Sequence, residues 1–273
     1  MSRKSIIITG GASGIGKALT NHLCTSPESH ITILDVDTTS AQETRLSILS
    51  QHPNASISIQ RCDVSSWESQ ALAFSRVYSA QGRIDVVFAN AGITEKGTLL
   101  PVEGEEEPIK PDTRTAEVNF WGCLYSVKLA IFYIMKNKVD TERNIKGSII
   151  CTASSAGLYG FHVAPLYAAS KHAIVGLVRS LWRYLDQEKI QINALAPGVI
   201  ETNIAPDKAL FKSMHITPMA TAINAVDKLL GDTSLTGRVV ELHGENFSFA
   251  EQKEFADEGT KNNIEMFWKL GYA

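Results

Sequence analysis

Tyr167-Ala-Ala-Ser-Lys171 sets a phenol and an ammonium four positions apart, at the start of a run (Ile174, Val175, Leu177, Val178, Leu181) whose apolar residues recur with helical spacing. On a helix, positions i and i+4 share a face. A free phenol titrates near pH 10, so acting as a base near neutrality requires lowering that value by roughly three, or about 4 kcal/mol. A neighbouring cation favours the phenolate. Thirteen positions upstream, Ser154 in Cys151-Thr-Ala-Ser-Ser-Ala-Gly157 offers a hydroxyl that can hydrogen-bond an oxygen on which negative charge develops, with Ser155 as a competitor. Together these side chains suit proton transfer at a substrate oxygen. The same Tyr–Lys spacing also occurs on ordinary amphipathic helices, where the lysine stem lies along the apolar face.

A second constellation lies near the N-terminus. In Thr9-Gly-Gly-Ala-Ser-Gly-Ile-Gly16, Gly10, Gly14 and Gly16, with Ser13 and Ile15 between them, let the backbone approach a pyrophosphate at a helix N-terminus. Asp35 follows Gly16 by nineteen positions, where a carboxylate accepts hydrogen bonds from the adenosine ribose hydroxyls. A phosphate on that ribose would meet like charge, and neither Ser13 nor Val36 supplies a cation for it. The expected cofactor is therefore NAD, with NADP disfavoured. Asp63-Val64 and Asn90-Ala91-Gly92 follow two later apolar runs, at the strand ends where ligands of open α/β sheets gather. Asp63 is placed to pair with the adenine amino group, and Gly92 lets the chain pass the adenosine without a Cβ. The cationic nicotinamide would join Lys171 in lowering the Tyr167 pKa.

These residues need a scaffold, and the apolar runs 6–9, 31–34, 56–60, 84–89, 148–151, 190–195 and 238–242 supply it by alternating with helical patterns. Ile15, Ala18, Leu19, His22 and Leu23 form one such helical stripe. The expected fold is α/β: a single-domain, Rossmann-like, doubly wound, seven-stranded parallel sheet with helices on both faces. Residues 1–245 form the NAD-binding and catalytic domain, and 246–273 a C-terminal extension that packs on the domain, the pocket or an oligomer interface. The acidic, proline-broken segment 101–112 reads as a surface loop.

In this order the motifs resemble the short-chain dehydrogenase/reductase family over residues 5–244: TGxxxGxG, the strand-end Asp35, Asn90-Ala91-Gly92, Asn119 in Glu-Val-Asn-Phe-Trp-Gly, Ser154, Tyr167, Lys171 and Pro197-Gly198. The resemblance implies that Tyr167 is the general acid/base, that Lys171 holds the nicotinamide ribose and lowers the tyrosine pKa, and that Ser154 orients the reacting oxygen. It makes Asn119 the residue that positions a water in a proton relay. It gives Pro197, the Val199 backbone and the Thr202 hydroxyl to the nicotinamide carboxamide. It also implies a homodimer or homotetramer through the helices containing Asn119 and Tyr167, and pro-S hydride transfer. Asp35 with Tyr-Ala-Ala-Ser-Lys-His is most similar to the NAD-dependent branch containing hydroxyprostaglandin dehydrogenase.

The substrate is expected to be a lipophilic secondary alcohol or ketone of specialised, steroid-like or lipid metabolism. Ile200, Ile204, Leu210, Phe211 and Met214 follow the cofactor segment, and Leu158, Tyr159, Phe161 and His162 follow Ser154. Ser154, Tyr159, Ile204 and Phe211 are the candidate contacts. Phe247, Phe249, Phe255, Met266, Phe267, Trp268, Leu270 and Tyr272 make the tail too apolar to be left in water. A non-redox isomerase or cyclase, or a nucleotide-sensing binding protein, is the alternative on such a scaffold, and the intact Ser154–Tyr167–Lys171 set argues against both. A net charge of −3 without a basic block makes nucleic acid an unexpected partner. Four scattered cysteines and no membrane-spanning apolar run point to a cytoplasmic enzyme without a metal site.

Overall fold

The apolar runs pair into one sheet. The computed structural model describes residues 3–204 and 208–271. Within them β1 (Lys4–Thr9), β2 (Ser29–Asp35), β3 (Ile57–Arg61), β4 (Val86–Ala89), β5 (Gly147–Thr152), β6 (Ile190–Pro197) and β7 (Val239–His243) run parallel in the order β3-β2-β1-β4-β5-β6-β7.

Successive strand residues point to opposite faces, and here both faces are covered. Ile7, Val87, Ile149 and Ile192 pack with α3 (Trp67–Gln81), α5 (Gly122–Ile134) and α6 (Pro165–Gln187). Ile6, Ile8, Phe88, Ile150 and Leu195 pack with α1 (Gly14–Leu23), α2 (Thr38–Gln51) and α7 (Met219–Gly231). Two-sided burial explains why these strands read as continuous rather than alternating apolar runs. On α1, Leu19 is fully buried, while His22 is half-exposed and hydrogen-bonds Asp227 at 2.8 Å.

The sheet has an eighth strand that the seven-stranded expectation lacks. Gly244-Glu245 turns the chain, and β8 (Asn246–Phe249) pairs antiparallel with β7, Phe247 opposite Leu242 and Phe249 opposite Val240. Four residues of alternation are too short to stand out from the aromatic tail that follows. Beyond it, α8 (Glu258–Leu270) starts at Asp257, whose carboxylate accepts from the Thr260 amide. This helix rests on the outer face of α6: the Trp268 and Tyr184 ring centroids are 4.3 Å apart, and Arg183 pairs with Glu265 at 3.0 Å. Met266, Phe267 and Leu270 remain exposed. Tyr272 lies outside the described residues.

The order of the parallel strands reverses between β1 and β4, so the connections leaving these two strands diverge and open a crevice at their carboxyl ends. Segment 101–112 lies on the surface beyond β4, folded on itself by the Glu105 carboxylate, which accepts from the Val102 and Ile109 amides.

Candidate active site

A cavity of about 510 Å³ occupies that crevice. At one end it is lined by Gly10, Ser13, Gly14, Ile15, Asp35, Asp63 and Val64, with the Thr202 side chain against Gly14; beyond them come Asn90, Ala91 and Gly92; at the other end lie Ser154, Tyr167 and Lys171, and Pro197 and Ile204 also line the space. One space thus collects residues scattered over nearly two hundred positions.

Short polar bonds hold the strand ends in place. Thr9 Oγ1 accepts from the amides of Asn90 and Ala91 at 2.9 and 3.0 Å. The Asn90 side chain donates to the Thr9 carbonyl and accepts from Thr152 Oγ1 at 3.1 Å, joining β1, β4 and β5. Gly10 has φ +65°, and a Cβ on Gly16 would stand 2.2 Å from the Gly10 carbonyl oxygen, so the turn into α1 closes only without side chains at these points. Ser13, the N-cap of α1, makes no side-chain cap, which leaves the first amides of the helix beside the cavity for an anion. Asp35 Oδ2 accepts from the Ala12 amide at 3.0 Å and Oδ1 from the Asp37 amide at 3.0 Å, so the carboxylate is fixed against the glycine turn. Asp63 Oδ1 accepts from the Ser65 amide and hydroxyl. Arg61 pairs with Asp35 in the strand register, but its side chain does not line the cavity. These features fit a dinucleotide.

At the far end, Ser154 caps a short 3₁₀ turn, Ser155–Gly157, its Oγ accepting from the Ala156 amide, and its hydroxyl is near enough to the Tyr167 phenol to favour the phenolate. Of the two adjacent serines, Ser154 lines the cavity and Ser155 does not. Lys171 is 2% exposed; its ammonium donates to the Thr152 carbonyl at 2.8 Å and lies 5.6 Å from the Tyr167 ring centroid. Burial pulls its pKa down to about 8, and burial also raises that of Tyr167, against the Ser154 hydrogen bond that lowers it. In the protein alone, therefore, both groups are pushed toward their neutral forms. The lowering of Tyr167 expected from Lys171 needs a further positive charge.

Several sequence-predicted residues stand behind the lining or away from it. Asn119 is fully buried on a π-helical turn, Glu117–Trp121, between α4 (Arg114–Ala116) and α5. Its Oδ1 accepts from the Ile93 amide at 2.8 Å, and its Nδ2 donates to the Ile93 carbonyl and to Ser170 Oγ. Gly16 shapes the turn from beneath, and the Val199 carbonyl accepts from the Thr217 amide. Neither Tyr159 nor Phe211 reaches the cavity lining. Tyr159 is exposed and donates to the Glu241 carboxylate at 3.1 Å; Phe211 is half-buried on a 3₁₀ turn, Lys208–Ser213. The side chain of Leu210 is outside the described set. Ile93, Thr94, Lys96, Val118 and Ile200 are also part of the lining. Of these only Ile200 stands out in the sequence.

The sequence pattern of the family described as short chain dehydrogenase matches residues 4–212. The chain belongs to that family. Among similar proteins, this short-chain dehydrogenase is 28% identical over 274 residues to the short-chain dehydrogenase/reductase prx7 of Penicillium rubens, covering 90% of this chain and 94% of the relative. It is 28% identical over 228 residues to a 2,5-dichloro-2,5-cyclohexadiene-1,4-diol dehydrogenase of Sphingobium indicum, covering 84% of each. Levodione reductase superposes with a TM-score of 0.74 at 25% identity, covering 89% of this chain and 97% of that one. None of these likenesses singles out the hydroxyprostaglandin dehydrogenase branch. Like its relatives, this short-chain dehydrogenase is an oxidoreductase that binds a nicotinamide cofactor. Among the described residues no helix is long and apolar enough to cross a membrane.

Proposed function

We propose that this short-chain dehydrogenase uses NAD to oxidise a secondary alcohol on a lipophilic small molecule, or to reduce the matching ketone. The observation that carries the reading is the convergence of Ser154, Tyr167 and Lys171 on one end of a cavity whose other end presents Asp35 and the open start of α1. Bound nicotinamide supplies the acceptor for the hydride. Asp35, rigid against the Ala12 and Asp37 amides, offers its remaining lone pairs to ribose hydroxyls and repels a phosphate there.

In the oxidation direction, Ser154 orients the alcohol oxygen. Tyr167, as phenolate, takes the hydroxyl proton while the carbinol carbon gives up its C–H electron pair; the products are ketone, reduced cofactor and one proton. Lys171, anchored on Thr152, is protonated below its pKa of about 8 and then holds a positive charge behind the phenol. Asn119 holds the 93–94 backbone and positions the proton relay from behind the catalytic helix.

Ile93, Val118, Ile200 and Ile204 contribute apolar side chains to the cavity lining, which supports a lipophilic substrate. The likeness to the 2,5-dichloro-2,5-cyclohexadiene-1,4-diol dehydrogenase supports including cyclic secondary alcohols among the candidates. The exposed Trp121, Phe132 and Met135 on and beside α5 support assembly into a homodimer or homotetramer, and the four cysteines, buried as free thiols, suit a reducing cytoplasm. Solution mass of a monomer only would remove the oligomer from the account. The reading itself is tested by NADH formation across cyclic, aliphatic and steroidal secondary alcohols, with NADP in parallel. Turnover that strongly favours NAD is expected, and turnover favouring NADP contradicts the assignment of Asp35.

A further inference from the structure

The catalytic helix lacks a cap of its own. Ala164 occupies the N-cap of α6 and Pro165 its first turn, so nothing local serves the amides of Leu166 and Tyr167. A carboxylate from elsewhere in the chain does: Glu95 Oε1 accepts from the Leu166 amide at 3.1 Å and Oε2 from the Tyr167 amide at 2.6 Å. A helix N-terminus favours such an anion. Glu95 reaches it from the segment after β4, seventy-one positions from Leu166.

That segment is held at every residue. Asn119 binds the amide and carbonyl of Ile93, and Thr115 Oγ1 donates to the Thr94 carbonyl and accepts from the Lys96 amide. Asn119 also donates to Ser170 Oγ, which donates to the Tyr167 carbonyl at 2.7 Å. Tyr167 is thus gripped at its own amide and its own carbonyl, and both grips lead to residues 93–96. The same residues Ile93, Thr94 and Lys96 line the cavity. A cap needed only for helix stability could have come from a serine at position 164; a cap from this strap also ties the tyrosine to the wall that faces the substrate.

We propose that Glu95 is a positioning residue for Tyr167: its carboxylate fixes the tyrosine against the 93–96 strap and sets the electrostatic environment of the phenol. The charged and titratable groups nearest Tyr167 are Glu95 on its backbone amide, Lys96 in the wall of the same cavity, Lys171 at 5.6 Å from its ring centroid, and Cys151 on β5 and Cys123 on α5 close to Lys171. Ser154 and Phe161 face it without charge. Glu95 is the negative group in the set. Replacing it by a neutral side chain removes that field and leaves the positive end of α6 unopposed, and both changes favour the phenolate.

The inference builds on the assignment of Tyr167 as the acid/base, but its test needs no turnover. The full chain is labelled with 3-fluorotyrosine, whose phenol titrates lower than tyrosine's, and the Tyr167 fluorine resonance is identified by its loss in Tyr167→Phe. Its titration midpoint is then compared, alongside melting temperature, in wild type, Glu95→Gln, Glu95→Ala and Glu95→Ala/Ala164→Ser. A midpoint lowered by about half a pH unit or more in all three variants is expected, with Ala164→Ser recovering melting temperature but not the midpoint. The proposal is overturned by a midpoint that stays at the wild-type value in Glu95→Gln and Glu95→Ala, or that returns to it together with melting temperature in the double variant. Failure of the dehydrogenase reading would show separately, as Tyr167→Phe with undiminished NADH formation.

Discussion

The Lys171 ammonium donates to the carbonyl of Thr152, at 2.8 Å, from a side chain only 2% exposed. The lysine is therefore moored to the end of β5, 5.6 Å from the Tyr167 ring centroid. Mooring and burial together have a measurable consequence for stability.

Lys171 has its pKa pulled from 10.5 to about 8 by burial. Between these values the unfolded chain binds a proton that the folded protein has released, so this group makes stability rise with pH across the window from about 8 to 10.5. Below pH 8 both states are protonated and the cost of the buried charge is fully present. Denaturant unfolding of wild type and Lys171→Met isolates this contribution from the buried cysteines: the stability of wild type relative to the variant is expected to rise as pH passes from 8 to 10.5. A constant difference would show that the lysine is not depressed.

Asp35 holds two backbone amides and faces the cavity. Asp35→Asn retains an acceptor but removes the charge that repels a phosphate. The ratio of kcat/KM for NAD over NADP is expected to fall about tenfold or more, measured by NADH and NADPH formation with one alcohol.

Ser154 and Ser155 separate cleanly in the structure, since only Ser154 lines the cavity. Ser154→Ala is expected to lower kcat by about 10²- to 10³-fold with NADH affinity retained, and Ser155→Ala to keep kcat within a few-fold of wild type. Steady-state kinetics with fluorescence titration of NADH decides between them.

Asn90 joins three strand ends, so Asn90→Ala leaves the Thr9 carbonyl and the Thr152 hydroxyl without these partners. A stability loss of about 1–3 kcal/mol is expected, together with weaker NADH binding. Unfolding curves and NADH titration on the same preparation check both.

The cavity lining is largely legible in the sequence where spacing is local: the glycine turn, Asp35, Asn90-Ala91-Gly92 and Tyr167-x3-Lys171 each sit at a strand end or helix start that the apolar runs mark. What escaped depends on contacts between distant segments. Glu95 caps α6 from seventy-one positions away, and no local pattern distinguishes it from a surface glutamate. Tyr159 follows Ser154 closely in sequence, yet the turn at Ser155–Gly157 sends it outward to Glu241. Four-residue β8 carried too little alternation to register as a strand beside an aromatic tail. Asn119 is singled out by the resemblance alone, because the π-helical turn that carries it leaves no compositional mark.

The central claim is that Tyr167 exchanges the proton that accompanies hydride transfer. Its most direct test is kcat of Tyr167→Phe against wild type on an alcohol that wild type oxidises, with NADH affinity measured in parallel. The account requires kcat to fall by about 10²- to 10⁴-fold while NADH affinity stays within about twofold; a variant that retains wild-type kcat would contradict it.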